Sequence, residues 1–225
     1  MIRAIIFDFD GTIADTIAAI RAGLNKTMRH YGYPEHSYEN VRSFINHGAR
    51  QLVRQALPAE HRADEAHLNC VLETYEENYG TTYLQTKDAY DGIPELIREL
   101  RLERGVKIGV LSNKEHDFVV NLVDQVLLPN TFDAVQGNIL SKPAKPDPYL
   151  GNRISANLGV APEECVLVGD SDVDILTAHN THMIHVGVSW GYRSEADLRK
   201  NGAELVARDV ADLKTILLAL LEQKG

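Results

Sequence analysis

Short apolar runs alternate with helical patterns through most of this 225-residue chain. The runs that predict strands span 2–7, 106–111, 132–136, 166–168, 184–188 and, as a short addition, 205–206. The helical patterns between them span 93–102, 115–126, 148–158, 172–179 and 209–220. Strands separated by helices form βαβ crossovers, and runs that are apolar on both faces fit a sheet covered on both sides. The alternation therefore predicts an α/β fold with a doubly wound parallel sheet.

Residues 14–86 interrupt this alternation with a strand-free series of helical patterns at 16–30, 38–44, 49–57 and 63–79. We predict a small α-helical domain here, inserted into a core domain formed by 1–13 and 87–225. In an open α/β sheet, ligands bind outside the carboxyl ends of the strands. Because the insertion leaves from that end of the first strand, we expect it to lie over the site as a cap.

The acidic composition argues against partners with a phosphate backbone. A net charge of −9 would repel nucleic acid, although a local cation and a few lysines could still attract a small phosphorylated metabolite. No apolar run approaches the roughly 20 residues that cross a bilayer, and the chain opens on a predicted strand without a charged leader. We expect a cytoplasmic protein, a monomer or homodimer, that needs no membrane. Cys165 begins an apolar run, which predicts a buried structural thiol.

The first predicted strand runs directly into two acids, Asp8 and Asp10, followed by Gly11 and Thr12. Two acids one residue apart at a strand end can converge on a divalent cation. A carboxylate compensated in this way stays ionised and can attack phosphorus, and the second acid can donate and accept a proton. An Asp-Gly turn after a buried strand is the alternative. Three polar motifs after later strands favour the chemical interpretation.

The second motif, Ser112-Asn113-Lys114, follows the second long strand. Hydroxyl and amide groups there, with the N–H groups of a helix that starts at once, could bind a phosphate. A helix N-cap explains the same residues without any ligand. Taken alone, this motif favours the N-cap.

The third motif places Lys145 between prolines in the loop at 142–148. The prolines would hold its ammonium in a defined position, where it could neutralise an attacking carboxylate and a transferred phosphoryl group. A solvated lysine in a proline-rich loop is the alternative. We prefer that alternative for Lys142 and the functional interpretation for Lys145.

The fourth motif follows a buried strand and Gly169 with three acids, Asp170, Asp172 and Asp174. Acids this close repel one another unless a cation offsets their charge. Only oxygen ligands stand at suitable spacing, which favours a hard cation. Mg²⁺ fits best, because it is held by one or two carboxylates with waters and substrate phosphate.

Taken together and in this order, the four motifs resemble those of the haloacid dehalogenase superfamily of phosphotransferases. The helical insertion resembles the small cap of its phosphoglycolate phosphatase-like branch. The resemblance implies that Asp8 is the nucleophile that forms an aspartyl-phosphate, and that Asp10 protonates the leaving group and then activates water. It also implies that Ser112 and Lys145 hold the phosphoryl oxygens. Dehalogenases of this superfamily lack the second acid, so Asp10 favours phosphoryl chemistry.

The resemblance further implies two sets of ligand-binding residues. The Mg²⁺ ligands it implies are Asp8, the main-chain carbonyl of Asp10, Asp170 and, supporting the metal or Lys145, Asp174. The candidates for contact with substrate are Thr12, Asn113, His47 and Arg50. The last two belong to a stretch at 41–57 that looks like the cap loop and following helix of phosphoglycolate phosphatases, where Gly48 would permit a turn. An ordinary connection between helices is the alternative for this stretch.

The spacing of His179, His182 and His185 by three residues invites a metal interpretation. These residues span a helix end and the next strand, so the three imidazoles would not share one face. His182 stands where the family usually has the glycine that ends this helix. We therefore expect His182 to end the helix in a left-handed conformation.

The leading functional hypothesis is a Mg²⁺-dependent phosphatase that hydrolyses a small phosphorylated metabolite, with 2-phosphoglycolate as the first candidate. A phosphomutase similar to β-phosphoglucomutase and an inorganic pyrophosphatase are alternatives that use related chemistry. A non-enzymatic phospho-acceptor or binding protein, as in response regulators, is the least favoured alternative. Such a protein also clusters acids and a lysine around Mg²⁺, but a cap would close a site that a partner has to reach.

Overall fold

A computed structural model describes residues 1–127 and 129–223 of the protein, and a six-stranded sheet forms its centre. The strands in chain order are β1 (Ala4–Phe7), β2 (Lys107–Glu115), β3 (Ala134–Asn138), β4 (Cys165–Gly169), β5 (Ile184–Val188) and β6 (Leu205–Ala207). They lie in the order β3-β2-β1-β4-β5-β6, and every neighbouring pair is parallel. The predicted α/β doubly wound architecture is confirmed.

The helices divide between two compact units of the chain, Thr16–Lys87 and the combination of Met1–Asp15 with Asp88–Gly225. The first of these units contains α1 (Ile17–His30), α2 (Tyr38–Phe44), α3 (Ala49–Ala56) and α4 (Glu65–Tyr79). The unit that holds the sheet contains α5 (Ile93–Arg104), α6 (His116–Val126), α7 (Pro148–Leu158), α8 (Asp172–Thr181), α9 (Glu195–Lys200) and α10 (Val210–Glu222). None of the helices in the described ranges is long and apolar enough to cross a membrane.

The register of the central strands brings the motif-bearing chain segments to one edge of the sheet. Phe7, the last residue of β1, pairs with Val110 of β2 on one side and with Val168 of β4 on the other. Because the three strands are parallel, the residues that follow these positions lie side by side. The first, second and fourth motifs of the sequence are therefore neighbours at the carboxyl edge.

Apolar side chains from the sheet and from α7 and α8 form a buried cluster that fixes this edge. The cluster includes Ile6, Leu111, Leu150, Ile154, Leu167 and Ala178. Each aliphatic side chain that is fully buried contributes about 1.5–3 kcal/mol. Cys165 of β4 is buried as predicted, and burial raises the pKa of its thiol to about 12.

Two elements differ from the sequence prediction. Strand β2 continues past its predicted end at 111 as far as Glu115, so Ser112 and Asn113 lie within the strand and α6 begins only at His116. The register between β2 and β3 shifts between Leu111 and Glu115, across these polar residues. Helix α9 was not predicted, because its six residues are too few to show a helical period.

Two backbone predictions are confirmed. His182 ends α8 in the left-handed region with φ of 62°, and Gly48 precedes α3 with φ of 81°. A short polar side chain or a glycine tolerates these conformations better than a branched residue does.

The helical unit Thr16–Lys87 has its own core. Its buried apolar side chains include Leu24, Met28, Leu52, Val53, Leu68 and Val71. Helices α1 and α4 pack closely at Gly23, where an added Cβ would lie 3.0 Å from the Cα of Tyr79. The Asn78 amide of α4 donates to the Thr27 hydroxyl of α1 at 3.0 Å. The expectation that this unit acts as a cap stays a prediction.

Candidate active site

The first motif leaves β1 through a tight turn that places two carboxylates at the carboxyl edge of the sheet. The Asp8 amide donates to the Val168 carbonyl at 2.8 Å, which continues the pairing of β1 with β4 by one residue. Gly11 has φ of 80° and its amide donates to the Ala14 carbonyl at 2.9 Å. A Cβ at Gly11 would lie 2.5 Å from the Asp170 Oδ2 atom. Glycine is therefore required here both by the backbone conformation and by the approach of the fourth motif.

Lys145 connects the first and fourth motifs through a buried ammonium. Its Nζ atom lies 3.0 Å from Asp8 Oδ1 and 2.7 Å from Asp174 Oδ1, and it donates to the Leu111 carbonyl at 3.1 Å. Only 5% of the residue is exposed. The ammonium thus has its partners on three sides, which is the fixed placement that the flanking prolines predicted.

Asn113 holds the backbone of this lysine. Its Oδ1 atom accepts from the Lys145 amide at 2.7 Å, and its Nδ2 atom donates to the Lys145 carbonyl at 2.9 Å. An amide that uses both of its ends on one residue fixes that residue against rotation and translation. The predicted contact of Asn113 with substrate stays a prediction, and the structure gives it a positioning role.

The two hydroxyl groups predicted to contact the phosphoryl group or substrate are both buried in this unit. Ser112 Oγ accepts from the Lys114 amide at 3.2 Å. Thr12 Oγ1 has no hydrogen-bond partner among the described residues, and the Thr12 carbonyl accepts from the indole N–H of Trp190 at 3.3 Å. A buried hydroxyl without a partner costs free energy unless a ligand or water satisfies it.

Two of the three acids of the fourth motif, Asp170 and Asp174, have different surroundings. Asp174 Oδ2 accepts from the hydroxyl of Ser171 at 2.6 Å and from its amide at 3.2 Å, while Oδ1 faces Lys145. Asp170 Oδ2 accepts from the Tyr192 amide at 2.6 Å, and its Oδ1 is buried with no hydrogen-bond partner in the described ranges. Asp172, the intervening acid, is the first residue of α8.

Asp10 has a cationic neighbour that the sequence did not indicate. Lys114 Nζ lies 3.2 Å from Asp10 Oδ2, and the two side chains are only 7% and 12% exposed. Lys114 reaches this position because β2 continues past Leu111. The two carboxylates of the first motif are therefore each paired with a different lysine, Asp8 with Lys145 and Asp10 with Lys114.

Burial and crowding shift the protonation of the central groups. Burial raises the pKa of Asp8 from 3.8 to about 7, against the lowering effect of Lys145 and with Asp174 and Asp10 adding to the rise. Burial, Asp174 and Asp8 also raise the pKa of Asp170 well above its ordinary value. The pKa of Lys145 is raised, because Asp174 and Asp8 outweigh the effect of burial. The cluster carries more buried negative charge than one ammonium can offset.

This donor set fits a hard divalent cation. Carboxylate oxygens of Asp8, Asp170 and Asp174 lie within 4.8 Å of one another. The unpartnered Asp170 Oδ1 is the clearest sign, since buried polar atoms are nearly always paired. Both oxygens of Asp174 already have partners in Ser171 and Lys145, whereas Asp170 Oδ1 has none in the described ranges. The ligand set of Asp8, the Asp10 carbonyl, Asp170 and Asp174 stays a prediction. Oxygen ligands of this kind suit Mg²⁺.

The two remaining candidates lie in the helical unit Thr16–Lys87. The Arg50 guanidinium donates to Asn69 Oδ1 at 2.7 Å and to Glu65 Oε2 at 2.5 Å. His47 is exposed in the loop before α3. Arg50 would have to leave these partners to meet a substrate carboxylate.

Sequence reasoning missed Lys114, the positioning role of Asn113, and the contacts of Trp190 and Tyr192 with the first and fourth motifs. Lys114 is the third residue of the second motif, but its partner could not be predicted without knowing where β2 ends. Trp190 and Tyr192 stand on either side of Gly191. A Cβ at Gly191, between them, would lie 2.5 Å from Asp170 Oδ2.

A family model for haloacid dehalogenase-like hydrolases matches residues 5–188 of the chain. A phosphoglycolate phosphatase from Pseudomonas putida is 30% identical over 214 residues, which cover 94% of this chain and 78% of that protein. A phosphoglycolate phosphatase from Vibrio cholerae is 27% identical, with 96% of this chain and 97% of that protein covered. A crystal structure from Lactobacillus delbrueckii, of a protein assigned as a phosphoglycolate phosphatase, superposes with a TM-score of 0.86 at 30% identity and covers 96% of this chain and 98% of its own.

Proposed function

The chain belongs to the haloacid dehalogenase-like hydrolase family, and we propose that it is a Mg²⁺-dependent phosphatase of 2-phosphoglycolate that works through an aspartyl-phosphate on Asp8. Its class as a phosphoric monoester hydrolase follows from the family and from relatives that are named phosphatases over most of both chains. The observation that carries the mechanism is the buried ammonium of Lys145, 3.0 Å from Asp8 and 2.7 Å from Asp174. The choice of 2-phosphoglycolate rests on the names of the relatives.

In the first step, an Asp8 carboxylate oxygen attacks phosphorus and the bond between phosphorus and the ester oxygen breaks. Lys145 offsets charge on the attacking carboxylate and on the phosphoryl oxygens. This reduces the electrostatic repulsion between the anionic nucleophile and the dianionic phosphoryl group. The hydroxyl of Ser112 and the buried hydroxyl of Thr12 are available to the same oxygens. The departing alkoxide takes a proton from the Asp10 carboxyl group.

In the second step, Asp10 takes a proton from water, and the resulting hydroxide oxygen attacks the phosphorus of the aspartyl-phosphate. The bond between Asp8 and phosphorus breaks, phosphate leaves, and the Asp8 carboxylate is restored. Asp8 and Asp170 would hold Mg²⁺, which when bound supplies positive charge that offsets the carboxylates and polarises the phosphoryl group. Asp174 keeps Lys145 in place through both steps.

A substrate panel tests this proposal. Phosphate release is measured from 2-phosphoglycolate, pyrophosphate, glucose 1-phosphate and p-nitrophenyl phosphate, with Mg²⁺ and with a chelator. We expect selective hydrolysis of 2-phosphoglycolate that stops with chelator and in Asp8→Asn. Conversion of glucose 1-phosphate to another hexose phosphate would replace the phosphatase with a mutase, and selective cleavage of pyrophosphate would replace it with a pyrophosphatase. Binding of Mg²⁺ without phosphate release from any substrate would favour the non-enzymatic phospho-acceptor.

A further inference from the structure

Lys114 is a second buried ammonium in the candidate site, on the side of the general acid. Its Nζ atom lies 3.2 Å from Asp10 Oδ2, and 93% of its side chain is buried, since only 7% is exposed. Burying a lysine is costly unless carboxylates offset its charge, and the carboxylate of Asp10 must also exchange protons in the proposed mechanism. No step of the proposed mechanism uses this ammonium.

Building on the proposed function, we propose that Lys114 binds a carboxylate of the leaving group. The enzyme would thereby select phosphate esters that carry a carboxylate on the carbon bearing the ester oxygen, of which 2-phosphoglycolate is the simplest. Lys114 would be a specificity-determining residue that acts from the sheet-bearing unit.

The distances place Lys114 within reach of such a group. A general acid works at about 2.6–3.2 Å from the oxygen that it protonates. In 2-phosphoglycolate, one carbon separates the ester oxygen from the carboxylate carbon, so a carboxylate oxygen lies about 3 Å from the ester oxygen by ordinary bond lengths. An ammonium 3.2 Å from Asp10 can therefore meet that carboxylate while Asp10 faces the ester oxygen.

The charges of the site require such a partner. The carboxylates of Asp8, Asp170 and Asp174 would repel a carboxylated leaving group that enters a buried site, and a buried carboxylate needs a cation or donors. Lys145 already faces Asp8, Asp174 and the Leu111 carbonyl, as given above. The Arg50 guanidinium, the other candidate, is paired with Glu65 and Asn69 inside the helical unit.

The test compares two substrates of similar size in three forms of the whole enzyme. The substrates are 2-phosphoglycolate and 2-hydroxyethyl phosphate, which replaces the carboxylate with a neutral hydroxymethyl group. The forms are the wild type, Lys114→Met and Lys142→Met. Lys142 is a matched control, because it is exposed and packs over the Tyr149 ring at 5.7 Å.

We expect Lys114→Met to lower kcat/KM for 2-phosphoglycolate by about 100-fold and for 2-hydroxyethyl phosphate by less than about 10-fold. The preference of the wild type for the carboxylate would fall accordingly, and Lys142→Met would keep it. Lys114→Arg, which retains the charge, should keep part of the preference. Circular dichroism of each variant checks that it is folded.

An equal loss on both substrates would overturn the proposal, because it would show that Lys114 serves only Asp10. A wild type without preference between the two substrates would overturn it as well. These outcomes differ from failure of the proposed function, in which no phosphate is released from either substrate or from p-nitrophenyl phosphate.

Discussion

The Nζ atom of Lys145 lies 3.0 Å from the Oδ1 atom of Asp8, and both side chains are almost entirely buried. The lysine comes from a loop after β3 and the aspartate from the end of β1, so the contact exists only in the folded chain. Burial raises the pKa of Asp8 to about 7 despite this neighbour. The pair therefore needs further positive charge to keep the nucleophile ionised at neutral pH.

Replacing Lys145 with Met should remove activity and lower the stability of the sheet-bearing unit. The change leaves Asp8 and Asp174 buried without their ammonium, and breaking a buried pair in this way costs about 3–5 kcal/mol. Urea unfolding in chelator measures the free energy of unfolding, with Lys142→Met as the control that removes the same charge from the surface. The loss in free energy of unfolding should become smaller as pH falls toward 5, because protonation neutralises one of the two carboxylates that have lost the ammonium. A deficit that stays the same at every pH would contradict this explanation.

The affinity for Mg²⁺ should rise with pH up to about neutrality. Without metal, folded Asp8 keeps its proton up to about pH 7, whereas the unfolded carboxyl group loses its proton near 3.8. Asp8 by itself therefore lowers the stability of the metal-free protein as pH rises from 3.8 to 7, and a cation offsets this by binding the ionised form. Isothermal titration with MgCl₂ at several pH values checks this. An affinity that does not change between about pH 5.5 and 7.5 would exclude Asp8 as a ligand.

Gly191→Ala should weaken the cation site without replacing a charged residue. A Cβ there would lie 2.5 Å from Asp170 Cβ and would overlap the Gly11 carbonyl oxygen, so Asp170 must move. Changes in groups that orient a ligand typically cost about 10–100-fold in metal affinity. Titration of Mg²⁺ against activity measures the change. Gly159→Ala is the control, because a Cβ there meets no atom within 4 Å and its φ of 67° strains only the end of α7. Equal Mg²⁺ requirements in both variants would refute the prediction.

His185→Leu should make the protein less sensitive to acid. Both ring nitrogens of His185 are buried without hydrogen-bond partners in the described residues, and burial lowers the pKa of the imidazole from 6.5 to about 4. The imidazole of the unfolded chain takes up a proton below about pH 6.5, whereas that of the folded chain stays neutral until about pH 4. His185 by itself therefore lowers stability as pH falls through this window. Urea unfolding at about pH 5 and pH 7.5 measures the loss, with exposed His47→Leu as control. A loss in His185→Leu as large as in the wild type would show that other groups cause it.

The fold and much of the site were predictable because both follow from local patterns. Alternating apolar runs and helices imply a parallel sheet, and the carboxyl ends of its strands must meet at one edge. Acids placed directly after β1 and β4 are therefore close in space, as the 4.8 Å grouping of Asp8, Asp170 and Asp174 shows. The prolines beside Lys145 gave a comparable local signal.

The other features of the site depend on contacts between distant parts of the chain, which local patterns do not predict. Lys114 contacts Asp10 in a part of β2 that continues past Leu111. The register between β2 and β3 shifts there, and the polar residues alone do not predict that shift. The hydrogen bonds of Asn113 to the Lys145 backbone likewise join a strand to a distant loop. The predicted contact of His47 and Arg50, in the helical unit, with substrate stays a prediction.

The most direct test of the mechanism is a burst experiment on Asp10→Asn with p-nitrophenyl phosphate and Mg²⁺. Its leaving group needs no general acid, whereas hydrolysis of the aspartyl-phosphate needs Asp10 to activate water. The account predicts one rapid equivalent of p-nitrophenolate per enzyme, followed by slow turnover, and a phosphoryl group that peptide mass spectrometry places on Asp8. The variant with Asp8→Asn added should show neither. A phosphoryl group on another residue, or release without a burst and without phosphoenzyme, would contradict Asp8 as the nucleophile.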